Sequence, residues 1–147
     1  MNEKGMTLIE ILASIVILSI IIVSLLTMIV QSSRSNAISK NMMSATYVAE
    51  STMEELDRTI SLSTDLANFP SELSKLTKSD GTPKYNILSN VNGQAFFETT
   101  VPGYYVYIDA NSTSGSTLVK VKVKVYKDNT KAKLEAQMEM LQSWKKI

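Results

Sequence analysis

Neither cysteine nor histidine occurs in the 147 residues. Without cysteine there is no disulfide and no thiolate chemistry. Without histidine the usual general base and the commonest metal ligand are missing as well. No catalytic triad, Gly-rich phosphate loop or metal-ligand cluster stands among the residues that remain. The chain therefore reads as non-enzymatic, with no cofactor, no metal site and no small-molecule substrate. Charge of either sign is not in excess either: the net value is +1, which gives no electrostatic pull toward a polyanion. Glycine and proline are sparse, at five and three. None of either lies between Met6 and Asn68, so nothing in that long stretch breaks a helix.

One hydrophobic feature dominates what is present. From Ile11 to Val30 the chain carries no charge. About twenty residues at roughly 1.5 Å rise each span the ~30 Å hydrocarbon core of a bilayer. Glu10 sits on the first turn of that span, where burying a carboxylate costs about 2.5–3.5 kcal/mol. Something must offset that cost.

The string Lys4-Gly5-Met6-Thr7-Leu8-Ile9-Glu10, followed by about twenty apolar residues, resembles the N-terminus of type IV pilins and type II secretion pseudopilins. The resemblance implies a short leader, cut after Gly5 by a membrane prepilin peptidase. It implies that Met6 is the new, N-methylated terminus. It implies that Glu10 is the assembly carboxylate, paired with the amino terminus of a neighbouring subunit. Met6 stands where the family usually has Phe, a change within the apolar residues the family tolerates. The physics agrees: a free α-amino group is largely cationic at neutral pH, and Met6 and Glu10 are i,i+4 neighbours on one helix face. Between subunits the pair would fix axial stagger, because an unpaired buried charge disfavours every wrong register. The bland reading of Glu10 is a side chain that snorkels to the headgroups. A secretory signal peptide fits poorly, since the apolar run is too long and Gln31-Ser32-Ser33-Arg34 is a poor cleavage site. A plain single-pass anchor is the remaining competitor. Charge bias leaves orientation open, with Glu3 and Lys4 before the span and Arg34 and Lys40 after it. An N-terminus-in topology follows from the resemblance.

The expected organisation is a leader over 1–5, a transmembrane half-helix over 6–30, an amphipathic half-helix over 31–68 and a loop-and-sheet domain over 69–147. An apolar stripe recurs at Ile38, Met42, Ala45, Ala49, Met53, Leu56 and Ile60 in steps of three and four. It predicts one helix over residues 7–63, some 85 Å long, with Phe69-Pro70 as the first firm stop. Glu54 and Arg58 form a favourable i,i+4 pair, while Glu50 and Glu54 repel. That acidic patch reads as solvated helix surface. Ser19, Ser24 and Thr27 are the soft spots of an otherwise unbroken apolar helix.

Beyond a polar connector over 71–84, short strands are predicted at 85–88, 96–101 and 104–108. Turn signals stand at Asn90-Val91-Asn92-Gly93 and a break or bulge at Pro102-Gly103. The spacing Asp109-x-Asn111-x-Thr113 faintly resembles a calcium loop, but its glycine is misplaced and Lys120 occupies the twelfth position, so a flexible loop is the default. Val119, Val121, Val123 and Val125 alternate with lysines, and Ala132 to Met140 alternate likewise. A hairpin tipped at Asp128-Asn129 would set Val125 against Ala132, Val123 against Leu134 and Lys122 against Glu135. Lys120, Lys122 and Lys124, with Tyr104, Tyr105 and Tyr107 near in sequence, permit a DNA contact, but a solvated strand face is the favoured reading. Tyr105 and Tyr107 share one strand face, and Tyr104 lies with Val106 and Ile108 on the other.

The expected fold class is α+β: a long N-terminal helix packed against a small antiparallel sheet, the architecture that the resemblance implies. The Val-rich strand, tight turn and closing strand near Trp144 are similar to the small V-type minor pilins and I-type pseudopilins. The expected function is that of a minor pilin: stored in the bacterial cytoplasmic membrane as a single-pass protein, then assembled by a platform with other pilins into an extracellular filament. Alternatives are a pseudopilin of a secretion or competence DNA-uptake machine, and a membrane-anchored binding module that never polymerises.

Overall fold

The computed structural model describes residues 7–91, 93–112 and 117–144. The fold is α+β, a long N-terminal apolar helix packed against a five-stranded antiparallel sheet. It contains helices α1 (Leu8–Leu62) and α2 (Phe69–Ser74). Its strands are β1 (Asn86–Val91), β2 (Gln94–Val101), β3 (Tyr104–Asn111), β4 (Leu118–Tyr126) and β5 (Leu134–Ser143). The chain divides into two compact units, Met1–Lys40 and Asn41–Ile147.

In the first unit every described side chain is exposed, and the apolar run finds no internal partner. Several of its hydroxyls bond back to the helix: Ser14 Oγ donates to the Glu10 carbonyl at 2.7 Å, Ser19 Oγ to that of Ile15 at 2.7 Å and Thr27 Oγ1 to that of Val23 at 2.9 Å. Such i−4 bonds remove the cost of carrying a hydroxyl into an apolar medium.

In the second unit the stripe becomes a packing face. Ala45, Ala49, Met53, Leu56 and Ile60 are buried, whereas Ile38 and Met42, expected in the same stripe, are 53% and 51% exposed. Burial on α1 therefore begins at Ala45, where the two alanines let the helix backbone approach closely. Thr52 and Thr59 lie in the same face, and each donates to a carbonyl four residues back at 2.8 Å, so neither is an unpaired polar group in the core. Glu54 and Arg58 do not form the ion pair expected of them.

The helix ends at Leu62, within one residue of the expected 7–63 span and ahead of the stop at Phe69-Pro70. Asp65 takes over the chain there, its carboxylate accepting the Asn68 N–H at 2.9 Å and its carbonyl the Phe69 N–H. Pro70 then stands at the start of α2 rather than marking a stop, a position where its missing N–H costs nothing. The connector thus contains a short helix that composition did not announce. Phe69 is fully buried, edge-on to Phe97 at 5.4 Å and to Trp144 at 5.9 Å.

The sheet is a plain meander in the order β1-β2-β3-β4-β5. Val119, Val121, Val123 and Val125 point inward with Val106, Ile108 and Phe97, all fully buried against the helical face. Burial of each such side chain contributes about 1.5–3 kcal/mol. Pro102-Gly103 forms a tight turn, with Val101 opposite Tyr104 and Gly103 at φ +83°. Of the turn expected at Asn90 to Gly93, Asn92 lies outside the described residues; Val91 pairs with Gln94. Gly93, at φ +79°, lies so close to Ser112 that a Cβ would stand 2.6 Å from its carbonyl oxygen. Gly93→Ala is expected to lower stability by about 1–3 kcal/mol, read as a lower urea midpoint of Trp144 fluorescence in detergent micelles.

The register of the last hairpin differs from the expected one by four residues. Val125 faces Ala136, Val123 faces Met138 and Lys122 faces Glu139. The turn is wider than two residues because Asp128 accepts bonds from both the N–H and the hydroxyl of Thr130, and Lys131 then adopts φ +58°. A shift of four keeps every valine facing inward, so alternation alone could not choose between the registers. A bulge between Leu134 and Ala136 turns Leu134 outward and leaves Glu135 buried.

Candidate functional site

The first helical turn is built by Thr7. It precedes Leu8, and its carbonyl accepts the N–H of Glu10 at 3.1 Å and of Ile11 at 3.3 Å. The Glu10 side chain folds back, and its Oε2 accepts both the Thr7 N–H at 2.7 Å and the Thr7 hydroxyl at 2.9 Å. Thr7-Leu8-Ile9-Glu10 has the spacing of a capping box, in which the third helical residue closes the free donor ahead of the helix. The Thr-x-x-Glu spacing was the signal for this contact, and reading Glu10 only through its charge overlooks it. Among the described residues no donor reaches Glu10 Oε1, so half the carboxylate is free for another partner. Gly5 and Met6, the expected cleavage and methylation residues, lie outside the described residues.

The turn opens onto apolar surface. Leu8 and Ile9 are 80% and 74% exposed, and the helix reaches a mean hydropathy of 2.9 over its most apolar window. By length and composition it can cross a membrane.

Two of the three lysines in the β4 row share one carboxylate. Glu139 on β5 lies between Lys120 at 2.8 Å and Lys122 at 2.9 Å. Hydrogen bonds from the two ammonium groups hold the Glu139 carboxyl down to about 2, against an ordinary value of 4.5. A lowered carboxyl adds stability that is fully present above the ordinary value and is lost as pH falls toward about 2. Acid titration is therefore expected to weaken the β4–β5 pairing between those limits, seen in the amide shifts of Val121 and Met140. Glu139→Gln removes that dependence.

A groove of about 430 Å³ lies beside the helix in the second unit, between Tyr47, Glu55, Thr77 and Pro102. Glu55 Oε2 accepts from Lys84 Nζ and from the Tyr85 hydroxyl, each at 2.6 Å, so its polar centre is already satisfied. Burial, then the Glu55 carboxylate, pushes the Tyr85 phenol well above its ordinary range. Asp109 and Asn111 of the faint calcium pattern lie on strand β3, not in a loop, and Thr113 is outside the described residues. Among the described residues no group of acidic side chains could hold a metal ion.

Residues 1–26 match the family model of the prokaryotic N-terminal methylation motif. The match supports a precursor of the type IV pilin and pseudopilin kind, processed by a prepilin peptidase and assembled with other subunits. Neither comparison with curated proteins nor comparison with solved structures gives a match.

Proposed function

We propose that this chain is a structural, non-enzymatic subunit of a type IV pilus-like filament, a minor pilin. It waits in the cytoplasmic membrane as a single-pass protein with its N-terminus inside. Prepilin peptidase cuts after Gly5, Met6 is N-methylated, and an assembly platform draws the helix into a filament. The observation that carries this reading is the carboxylate of Glu10, half-used by Thr7, at the head of a helix whose apolar side chains over 8–30 are all exposed among the described residues. A cationic terminus on a neighbouring subunit satisfies the free oxygen, and neighbouring helices cover the apolar surface. The lack of glycine along the helix and the irregular connector before the sheet support a minor rather than a bulk subunit.

Mass spectrometry of the N-terminal peptide from sheared surface filaments tests the reading. An N-methylated Met6 is the expected result. Recovery of intact Met1 from filaments, or of the chain only from the membrane fraction, overturns it.

A further inference from the structure

The face of the sheet turned away from the helix carries a small aromatic site with a cation already in it. Tyr105 and Tyr107 stand side by side on β3, and Phe96 of β2 stacks on Tyr107 with ring centroids 5.9 Å apart and planes 24° apart. The Lys131 ammonium lies 4.1 Å from the centroid of Tyr107 and 5.6 Å from that of Tyr105. Among the described residues no carboxylate stands within ion-pair distance of it, so the ring faces are what hold it.

The rings are fixed by their own strands rather than by the lysine. The Tyr105 hydroxyl donates to Glu98, and Glu98 is the cross-strand neighbour of Tyr107. Asp109, next on the same face of β3, has a buried Oδ1 without a hydrogen-bond partner. Glu98 and Asp109 add negative potential beside the ring faces, while Lys124 opposite Tyr107 and Lys122 opposite Asp109 bring positive charge to the same face. Lys131 is exposed and sits at φ +58°, a left-handed conformation that costs a residue with a side chain some strain. With its side chain moved aside, the rings of Tyr105, Tyr107 and Phe96 would remain where their strands hold them.

We propose that this face binds quaternary ammonium headgroups, and that Lys131 is a tethered occupant which such a ligand displaces. A trimethylammonium group presents diffuse charge and little hydration, so it loses less water than a lysine ammonium on moving over the rings. The freed Lys131, and Lys124 opposite Tyr107, are then available to a phosphate attached to the headgroup. The inference is independent of filament assembly.

The test uses the full chain in maltoside micelles, with saturation-transfer NMR of choline, phosphocholine and dimethylbutanol, the neutral carbon isostere of choline. Lys131→Asn keeps a residue that tolerates the left-handed backbone and removes the competitor. It is expected to bind choline about tenfold more tightly than the wild type. Tyr107→Phe retains binding and Tyr107→Leu loses it, with Trp144 fluorescence confirming that both fold. Tighter binding of phosphocholine identifies a phosphate-linked headgroup as the source, and equal binding a free amine. No choline binding by Lys131→Asn, equal binding of the neutral isostere, or undiminished binding by Tyr107→Leu overturns the proposal.

Discussion

Replacing Glu10 by glutamine is expected to cut filament yield about a hundredfold, as severely as replacing it by leucine. Removing one partner of a buried ion pair costs about 3–5 kcal/mol, and each 1.4 kcal/mol is a factor of about ten. The two substitutions separate the two jobs of this side chain. Glutamine still reaches back to the Thr7 N–H and keeps the capping box, whereas leucine loses both the cap and the charge. Loss of the cap alone is worth about 0.5–2 kcal/mol and leaves a helix this long intact. Filament counts by electron microscopy, beside immunoblots of membrane and sheared fractions, distinguish the cases. If Glu10→Gln assembles like the wild type while Glu10→Leu does not, Glu10 acts as a helix cap and the intersubunit ion pair fails as the basis of assembly.

The second large effect lies in the core. Phe97 is fully buried and edge-on to Phe69, which in turn meets Trp144. Phe97→Ala is expected to cost about 3–5 kcal/mol. That is a large share of the 5–15 kcal/mol typical of a whole domain. With no cysteine to staple the sheet, packing alone must hold it. The expected readout is a strongly lowered urea midpoint of Trp144 fluorescence, with the helical circular dichroism of residues 8–40 largely retained. An unchanged midpoint would show that the Phe69–Phe97–Trp144 contact does not hold α2 and the strand ends together.

Local signals made part of this legible from sequence. The uncharged run and the string around Glu10 are contiguous, and so are the Val/Lys alternation of β4 and the split of Tyr104 from Tyr105 and Tyr107. Each therefore survives whatever the rest of the chain does. What sequence missed depended on spacing between distant residues or on side chains competing for backbone. The β4–β5 register moved by four because Asp128 and Thr130 widened the loop, and an even shift leaves alternation unchanged. The end of α1 at Leu62, by contrast, matches the expected 7–63 span, with Asp65 rather than Pro70 organising the chain just after it. Ile38 and Met42 fit the stripe by period, yet burial on α1 starts only at Ala45. At the candidate site, charge and hydropathy pointed to Glu10, while the contact that orients it came from Thr7.

Because every strand of the sheet pairs only with its neighbour in the chain, each hairpin closes over a short loop at little entropic cost. Low contact order of this kind favours quick formation. Bringing Leu56 and Ile60 of α1 into one core with the valines of β4 joins residues far apart in sequence and carries the larger closure cost. The β-meander can thus form ahead of helix docking, and the docking is expected to be the slower of the two steps.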